Sequence, residues 1–206
     1  MSKIALGTVQ FGIDYGINSE NGQVQPEEVR SILNYAHSQN IDLLDTAPAY
    51  GNSEKVLGVT NVQNFKVVTK TRHFESFEIK NTDVKLLNND FHHSLKDLKQ
   101  HSVYGVLIHD ADDLLKPGAE KLFDKLQELK QAEKIVKIGV SVYDHSQLQS
   151  ILDNFAIDLV QLPFNILDRR MVDSGMLSTL RSKGVEVHAR SVFLQGLLLM
   201  TEQSRH

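Results

Sequence analysis

The chain has 206 residues, 41% hydrophobic and 23% charged with a formal net charge of −4, which is enough apolar material for a full core and gives no basic footprint for nucleic acid. It contains no cysteine, which excludes a disulfide framework and a thiolate zinc site, and no apolar run long enough to cross a bilayer. Met1-Ser-Lys-Ile-Ala-Leu-Gly7 is no secretory signal, so the expected location is the cytoplasm, with neither a membrane nor a nucleic acid as partner.

Short apolar runs alternate with amphipathic stretches along the chain. Ile4 to Leu6 is the first predicted strand, followed by a helix over Pro26 to Ser38, with proline in its first turn and Val29, Ile32, Leu33 and Ala36 at helical spacing. A strand over Ile41 to Leu44 leads to a short helix over 52–58 and a strand over Val67 to Thr69. A helix over Asp83 to Lys99 then carries Val84, Leu87, Phe91, Leu95 and Leu98 on one face, and a strand over Val103 to Ile108 follows. The stretch 111–118 reads as a loop, Pro117 to Gln131 as a helix, Ile135 to Val140 as a strand and 145–154 as a helix. Asp158 to Leu162 is a strand, 170–182 a helix closed by Lys183-Gly184, and Val185 to Ala189 the last strand. Strands alternating with helices predict a parallel sheet.

Polar residues close five successive strands: Asp45, Lys70, His109, Ser141 and Gln161. An open doubly wound sheet gathers its site at one switch point, whereas a barrel gathers it from many strand ends, so the pattern favours the barrel. Gly7-Thr-Val-Gln-Phe-Gly12 has the wrong spacing for a Rossmann fingerprint. The expected fold is α/β, a (β/α)8 TIM-barrel type with about seven β/α units present, in a single domain over 1–206.

The segment Asp45-Thr-Ala-Pro-Ala-Tyr50-Gly-Asn-Ser-Glu54 sets a carboxylate and a phenol just past a buried strand. A phenol has an ordinary pKa of about 10 and needs nearby cations to act as an acid at neutral pH. Lys70 and His109, at the next two strand ends, are the candidates. Taken by themselves, Asp45 and Lys70 could equally be an ion pair that stabilises the barrel mouth. A barrel lyase or isomerase acting on phosphorylated sugars would use the same strand ends, but it would want a glycine-rich phosphate loop late in the chain, where only Gly196 lies beyond 184. No His-x-His or His-Glu-x-x-His spacing points to a metal, and none is expected.

Leu6-Gly-Thr8, Asp45-Thr-Ala-x-x-Tyr50-Gly-x-Ser-Glu54, Lys70, His109, Gly139-Val-Ser141 and Val160-Gln161-x-Pro-Phe-Asn165 together resemble the aldo-keto reductases over nearly the full length. Those enzymes are NAD(P)H-dependent (β/α)8 barrels that reduce aldehydes and ketones. The resemblance implies a catalytic tetrad of Asp45, Tyr50, Lys70 and His109. Tyr50 would supply the proton, Lys70 lower its pKa, Asp45 fix Lys70 and His109 orient the carbonyl. It further implies Gly7 and Thr8 beside the nicotinamide ribose, Ser141 and Gln161 on the carboxamide, Ser191 at a phosphate, and NADP(H) ahead of NAD(H). Arg190 stands where many members stack an aromatic on the nicotinamide, and Val142 where many have Asn or Arg. The implied substrate is a small-molecule carbonyl compound, with a pocket wall drawn from Phe11, Pro48, Phe74, Tyr143 and Phe164. The alternative is a catalytically weak or inactive cofactor-binding or regulatory protein of the same fold.

The sequence stops at His206 after seven strands, while such barrels take about 250 residues. By the resemblance, an eighth strand and the loop that holds the adenosine end would lie beyond. The expectation is an open barrel edge that invites self-association, or a loosely ordered segment after about Arg190, with weak nucleotide binding and low reductase activity.

Overall fold

The computed structural model describes residues 4–17, 22–60 and 62–200. Its centre is one parallel sheet whose order follows the chain: β1 (Leu6–Gly7), β2 (Leu43–Asp45), β3 (Lys66–Lys70), β4 (Val103–Ile108), β5 (Ile135–Ser141), β6 (Leu159–Pro163) and β7 (Glu186–Arg190). Register brings Gly7 opposite Asp45, Lys70 opposite Leu107, Ser141 opposite Gln161 and Pro163 opposite Arg190. Parallel strands in sequential order, joined by helices, are wound as a barrel and not as a doubly wound sheet. The fold is an incomplete (β/α)8 barrel, with β1 and β7 at the two sheet edges among the described residues.

Eight helices are described: α1 (Val9–Gly12), α2 (Pro26–Ser38), α3 (Ser53–Thr60), α4 (Asn81–Leu98), α5 (Glu120–Gln131), α6 (His145–Asn154), α7 (Arg170–Asp173) and α8 (Met176–Ser182). α2 starts on Pro26, whose fixed φ suits a first turn, with Glu27 and Glu28 against the positive end of the helix dipole. α4 is held at its start by the Lys80 backbone N–H, which donates to Asp83 Oδ2 at 2.8 Å. α6 is capped by Asp144, which accepts from the Ser146 N–H at 2.7 Å. The apolar faces of these helices meet the sheet in the main core, where Leu57, Leu98, Leu122, Leu126, Ile138 and Ile151 are fully buried.

A second, smaller core fills the barrel interior with Val68, Leu107 and Leu159, flanked by Leu43 and Tyr104. Next to it β7 turns Glu186, His188 and Arg190 to the half-buried side and leaves Val187 and Ala189 exposed. Glu186 accepts hydrogen bonds from Tyr104 Oη at 2.7 Å and from Lys137 Nζ, and its other oxygen meets His188 Nε2 at 2.7 Å. One carboxylate therefore ties β7 to β4 and β5. Burial pushes this carboxyl up, but hydrogen bonds from Lys137, Tyr104 and His188 outweigh it and bring the pKa down to about 2.

Several elements differ from the sequence reading. The predicted helix over 170–182 is two helices, because Gly175 adopts φ +75°, a left-handed conformation that glycine enters without a Cβ clash. The loop 111–118 contains a 3-10 turn over Ala111–Leu114, set by Asp110 accepting from the Asp112 N–H. Helix α5 begins at Glu120, and the strand predicted over Ile4 to Leu6 is Leu6–Gly7. Phe11 and Phe74, expected on the pocket wall, are 3% and 2% exposed and belong to the core. After Arg190 the chain forms a 3-10 helix over Leu194–Leu199, and 201–206 lie outside the described residues. No described helix is long and apolar enough to cross a membrane.

Candidate active site

The strand ends converge at one mouth of the barrel. Asp45, Lys70, Ser141 and Arg190 are the last residues of β2, β3, β5 and β7, His109 directly follows β4, and Gln161 lies within β6. There they meet a cleft of about 660 Å³ lined by Gly7, Asp45, Tyr50, His109, Ser141, Gln161, Arg190 and Ser191. Of the residues expected at the site, Lys70 and Thr8 lie beneath this lining, 3% and 0% exposed.

Tyr50 is carried by the turn between β2 and α3, where its N–H donates to the Ala47 carbonyl at 3.0 Å and its own carbonyl accepts from Ser53 N–H at 3.1 Å. Gly12 packs against this turn so closely that a Cβ there would lie 1.7 Å from the Tyr50 carbonyl oxygen. Thr8 holds the layer below: its hydroxyl donates to the Asp45 carbonyl at 2.9 Å, and Ser53 Oγ lies 2.9 Å from both the Thr8 carbonyl and hydroxyl oxygens. Each of these bonds joins segments far apart in sequence, which fixes the ends of β1, β2 and α3 together.

Lys70 is the hub of the charged groups. Its Nζ donates to Asp45 Oδ1 at 2.7 Å and to the Thr46 carbonyl at 3.0 Å, and lies 4.8 Å from the centre of the Tyr50 ring. Gln161 Nε2 donates to the same Asp45 oxygen at 2.8 Å. The His109 ring stands edge-on to Tyr50, with centroids 6.3 Å apart. The tetrad residues are thus one contiguous group.

Burial pushes the Tyr50 phenol above its ordinary pKa, more than Lys70 draws it down, and Asp45 adds to the rise. Lys70 acts in the expected direction, but desolvation outweighs it, and Tyr50 keeps its proton. Burial also lowers the His109 pKa, reinforced by Lys70, so that the imidazole is neutral at pH 7 and can donate from one ring nitrogen.

Ser141 and Gln161 are 4% exposed and face each other across β5 and β6. A hydroxyl and an amide carbonyl side by side offer the donor and acceptor that a carboxamide needs, which fits a nicotinamide. Arg190 Nη2 donates to the Val142 carbonyl at 3.3 Å, its guanidinium lies 4.0 Å from the centre of the Tyr143 ring, and its Nε is buried without a hydrogen-bond partner. An orphaned buried donor at a cleft also fits a ligand able to accept from it. Ser191 is exposed at the rim with φ +58°.

The cleft also uses residues absent from the sequence reading. Ile17 N–H donates to the Gln195 carbonyl at 3.2 Å and Gln195 Nε2 donates to Tyr15 Oη at 3.0 Å, which joins the loops after β1 and β7 where Tyr15, Gly16, Gln195 and Gly196 line the cleft. The signal available for these was Gly16 and Gly196, each beside a polar or aromatic residue in a segment with no helical or strand period.

A model of the aldo/keto reductase family matches residues 3–206. The chain is similar to an Escherichia coli protein named NADH-specific methylglyoxal reductase, 28% identical over 98% of this chain and 66% of that protein. It is also similar to the aldo-keto reductase YhdN of Bacillus subtilis, 29% identical over 84% of this chain and 53% of that protein. The chain therefore spans about half to two thirds of these relatives' length. Among solved structures, the aldo-keto reductase AKR11C1 from Bacillus halodurans superposes with a TM-score of 0.76 at 22% identity, over 96% of this chain and 64% of that one.

Proposed function

The chain belongs to the aldo/keto reductase family, and we propose from this that it is an oxidoreductase reducing an aldehyde or ketone to the alcohol with a nicotinamide dinucleotide, Tyr50 giving the proton. The observation that carries the proposal is Lys70, held between the Asp45 carboxylate at 2.7 Å and the Tyr50 ring at 4.8 Å, with His109 edge-on to the same ring. When bound, the reduced dinucleotide supplies hydride to the carbonyl carbon. Tyr50 gives its proton to the carbonyl oxygen as negative charge develops there, and Lys70 stabilises the phenolate left behind until solvent restores the proton. Asp45, hydrogen-bonded by Gln161, holds the Lys70 ammonium in place. Neutral His109 donates a hydrogen bond to the carbonyl oxygen and orients it. Ser141 and Gln161 would hold the carboxamide, Gly7, Arg190 and Ser191 would line the rest of the nucleotide path, and Thr8 would support Asp45 from below.

The experiment is a titration with NADPH and with NADH, followed by nucleotide fluorescence, then steady-state reduction of methylglyoxal and of a neutral aromatic aldehyde. We carry NADP(H) ahead of NAD(H) from the family resemblance; one relative is named NADH-specific, so both are run side by side. Saturable binding with turnover that Tyr50→Phe lowers by about 10²–10⁴-fold is the expected result. Binding without turnover would support a nucleotide-binding regulatory protein instead, and no binding at all would overturn the proposal.

A further inference from the structure

The cleft holds a charge that the proton-transfer group does not use. Asp45 and Lys70 cancel one another at 2.7 Å, and His109 is neutral, so the positive charge of the lining rests on Arg190. Its guanidinium has one plane against Tyr143, an anchor to the Val142 carbonyl, and a buried Nε with no partner. Among the described residues no carboxylate forms an ion pair with it: the Asp168 carboxylate near this rim feels the Arg190 charge only as a minor influence and is bound to Arg170 at 2.7 Å. Arg190 is on the strand next to Gln161, and Ser141 is one strand further, so a ring whose carboxamide sits on Ser141 and Gln161 lies within reach of the Arg190 field.

We propose that Arg190 makes the site select the redox form of its dinucleotide, binding the reduced, neutral ring and rejecting the oxidised, cationic one. The inference rests on the reading of the cleft as a nicotinamide site and adds to it a sense of direction. Carbonyl reduction turns a neutral ring into a cation while the substrate becomes a neutral alcohol. A fixed like charge then repels the product nucleotide, which speeds its release and disfavours alcohol oxidation. Two like charges several ångströms apart in a partly dry cleft repel strongly enough to change an affinity ratio by about tenfold or more. A guanidinium keeps its charge at every working pH and its flat face still packs on a ring, so the discrimination comes without loss of stacking surface.

The test is a binding measurement independent of turnover. Dissociation constants for the reduced and oxidised forms of the same dinucleotide are taken by fluorescence titration and by displacement, for the wild type, Arg190→Leu and Arg190→Lys. The wild type should favour the reduced form, Arg190→Leu should shrink that preference by about tenfold, and Arg190→Lys should keep most of it. Because the ratio is internal to each variant, a general loss of affinity or stability does not mimic the effect. An unchanged ratio in Arg190→Leu, or one lost equally in Arg190→Lys, overturns the inference while leaving the nicotinamide site in place. Wild-type protein that binds neither form removes both.

Discussion

Glu186 offers a stability measurement whose size and sign follow from its contacts. The carboxyl titrates at about 2 in the folded protein against an ordinary 4.5, and its side chain is 29% exposed. At about 1.36 kcal/mol per pH unit the shift corresponds to roughly 3.4 kcal/mol, which solvent screening at this exposure reduces to about 2 kcal/mol. Because the folded value lies below the unfolded one, the stabilisation is complete above pH 4.5 and is lost as the pH falls from there toward 2. Glu186→Gln keeps the shape and the Tyr104 hydrogen bond but removes the charge. At pH 7 it should be about 2 kcal/mol less stable than the wild type, a fall in Tm of about 4–8 °C. Urea unfolding at pH 7, 5, 4 and 3 should show this gap closing as the solution is acidified. A gap of the same size at pH 3 and pH 7 would mean that the bonds to Lys137, Tyr104 and His188 contribute through packing alone, and the electrostatic account of how β7 is held would be wrong.

Tyr50→Phe should lower carbonyl reduction by about 10²–10⁴-fold with nucleotide dissociation constants unchanged, since only the hydroxyl is removed; a variant with most of its rate would remove Tyr50 as the donor. Lys70→Met leaves the Asp45 carboxylate, 19% exposed, with Gln161 as its remaining side-chain partner, so stability should fall by about 3–5 kcal/mol. Adding Asp45→Leu should restore much of that stability and none of the activity, which separates the structural use of the ion pair from its chemical use. His109 should titrate below 6.5 by NMR, and its midpoint should rise in Lys70→Met, because that cation is the second cause of the depression after burial. A midpoint at or above 6.5 in the wild type would refute the neutral imidazole.

The barrel was legible because each central parallel strand is buried on both faces and reads as a continuous apolar run, so that the polar residue closing it stands out. Asp45, Lys70 and Ser141 are visible for that reason. What stayed hidden depends on contacts between distant segments. The bond from Gln161 to Asp45 spans 116 residues, and nothing local to either announces it. Thr8 looked like a loop residue beside a ligand, yet its hydroxyl is used on a backbone carbonyl 37 residues away. The Tyr50 pKa depends on how much water its ring loses, which no motif encodes. The Glu186 contacts did have a signal. Glu186-Val-His-Ala-Arg190 alternates strictly, but with its polar set turned inward, and reading it as one more apolar run concealed the alternation.

The close approach of Gly12 to the Tyr50 turn bears on how such a protein could be adapted to new substrates. Tyr143, Val192 and Phe193 line the cleft, are 63%, 42% and 54% exposed, and can be exchanged with little effect on the fold. Gly12 does not line the cleft, and a scan restricted to lining residues would pass over it. Yet a single methyl there would have to displace a main-chain oxygen 1.7 Å away and carry the phenol with it. The reach of any laboratory evolution of this cleft is therefore bounded from outside: the walls are open to variation, while the address of the phenol is written in a residue with no side chain.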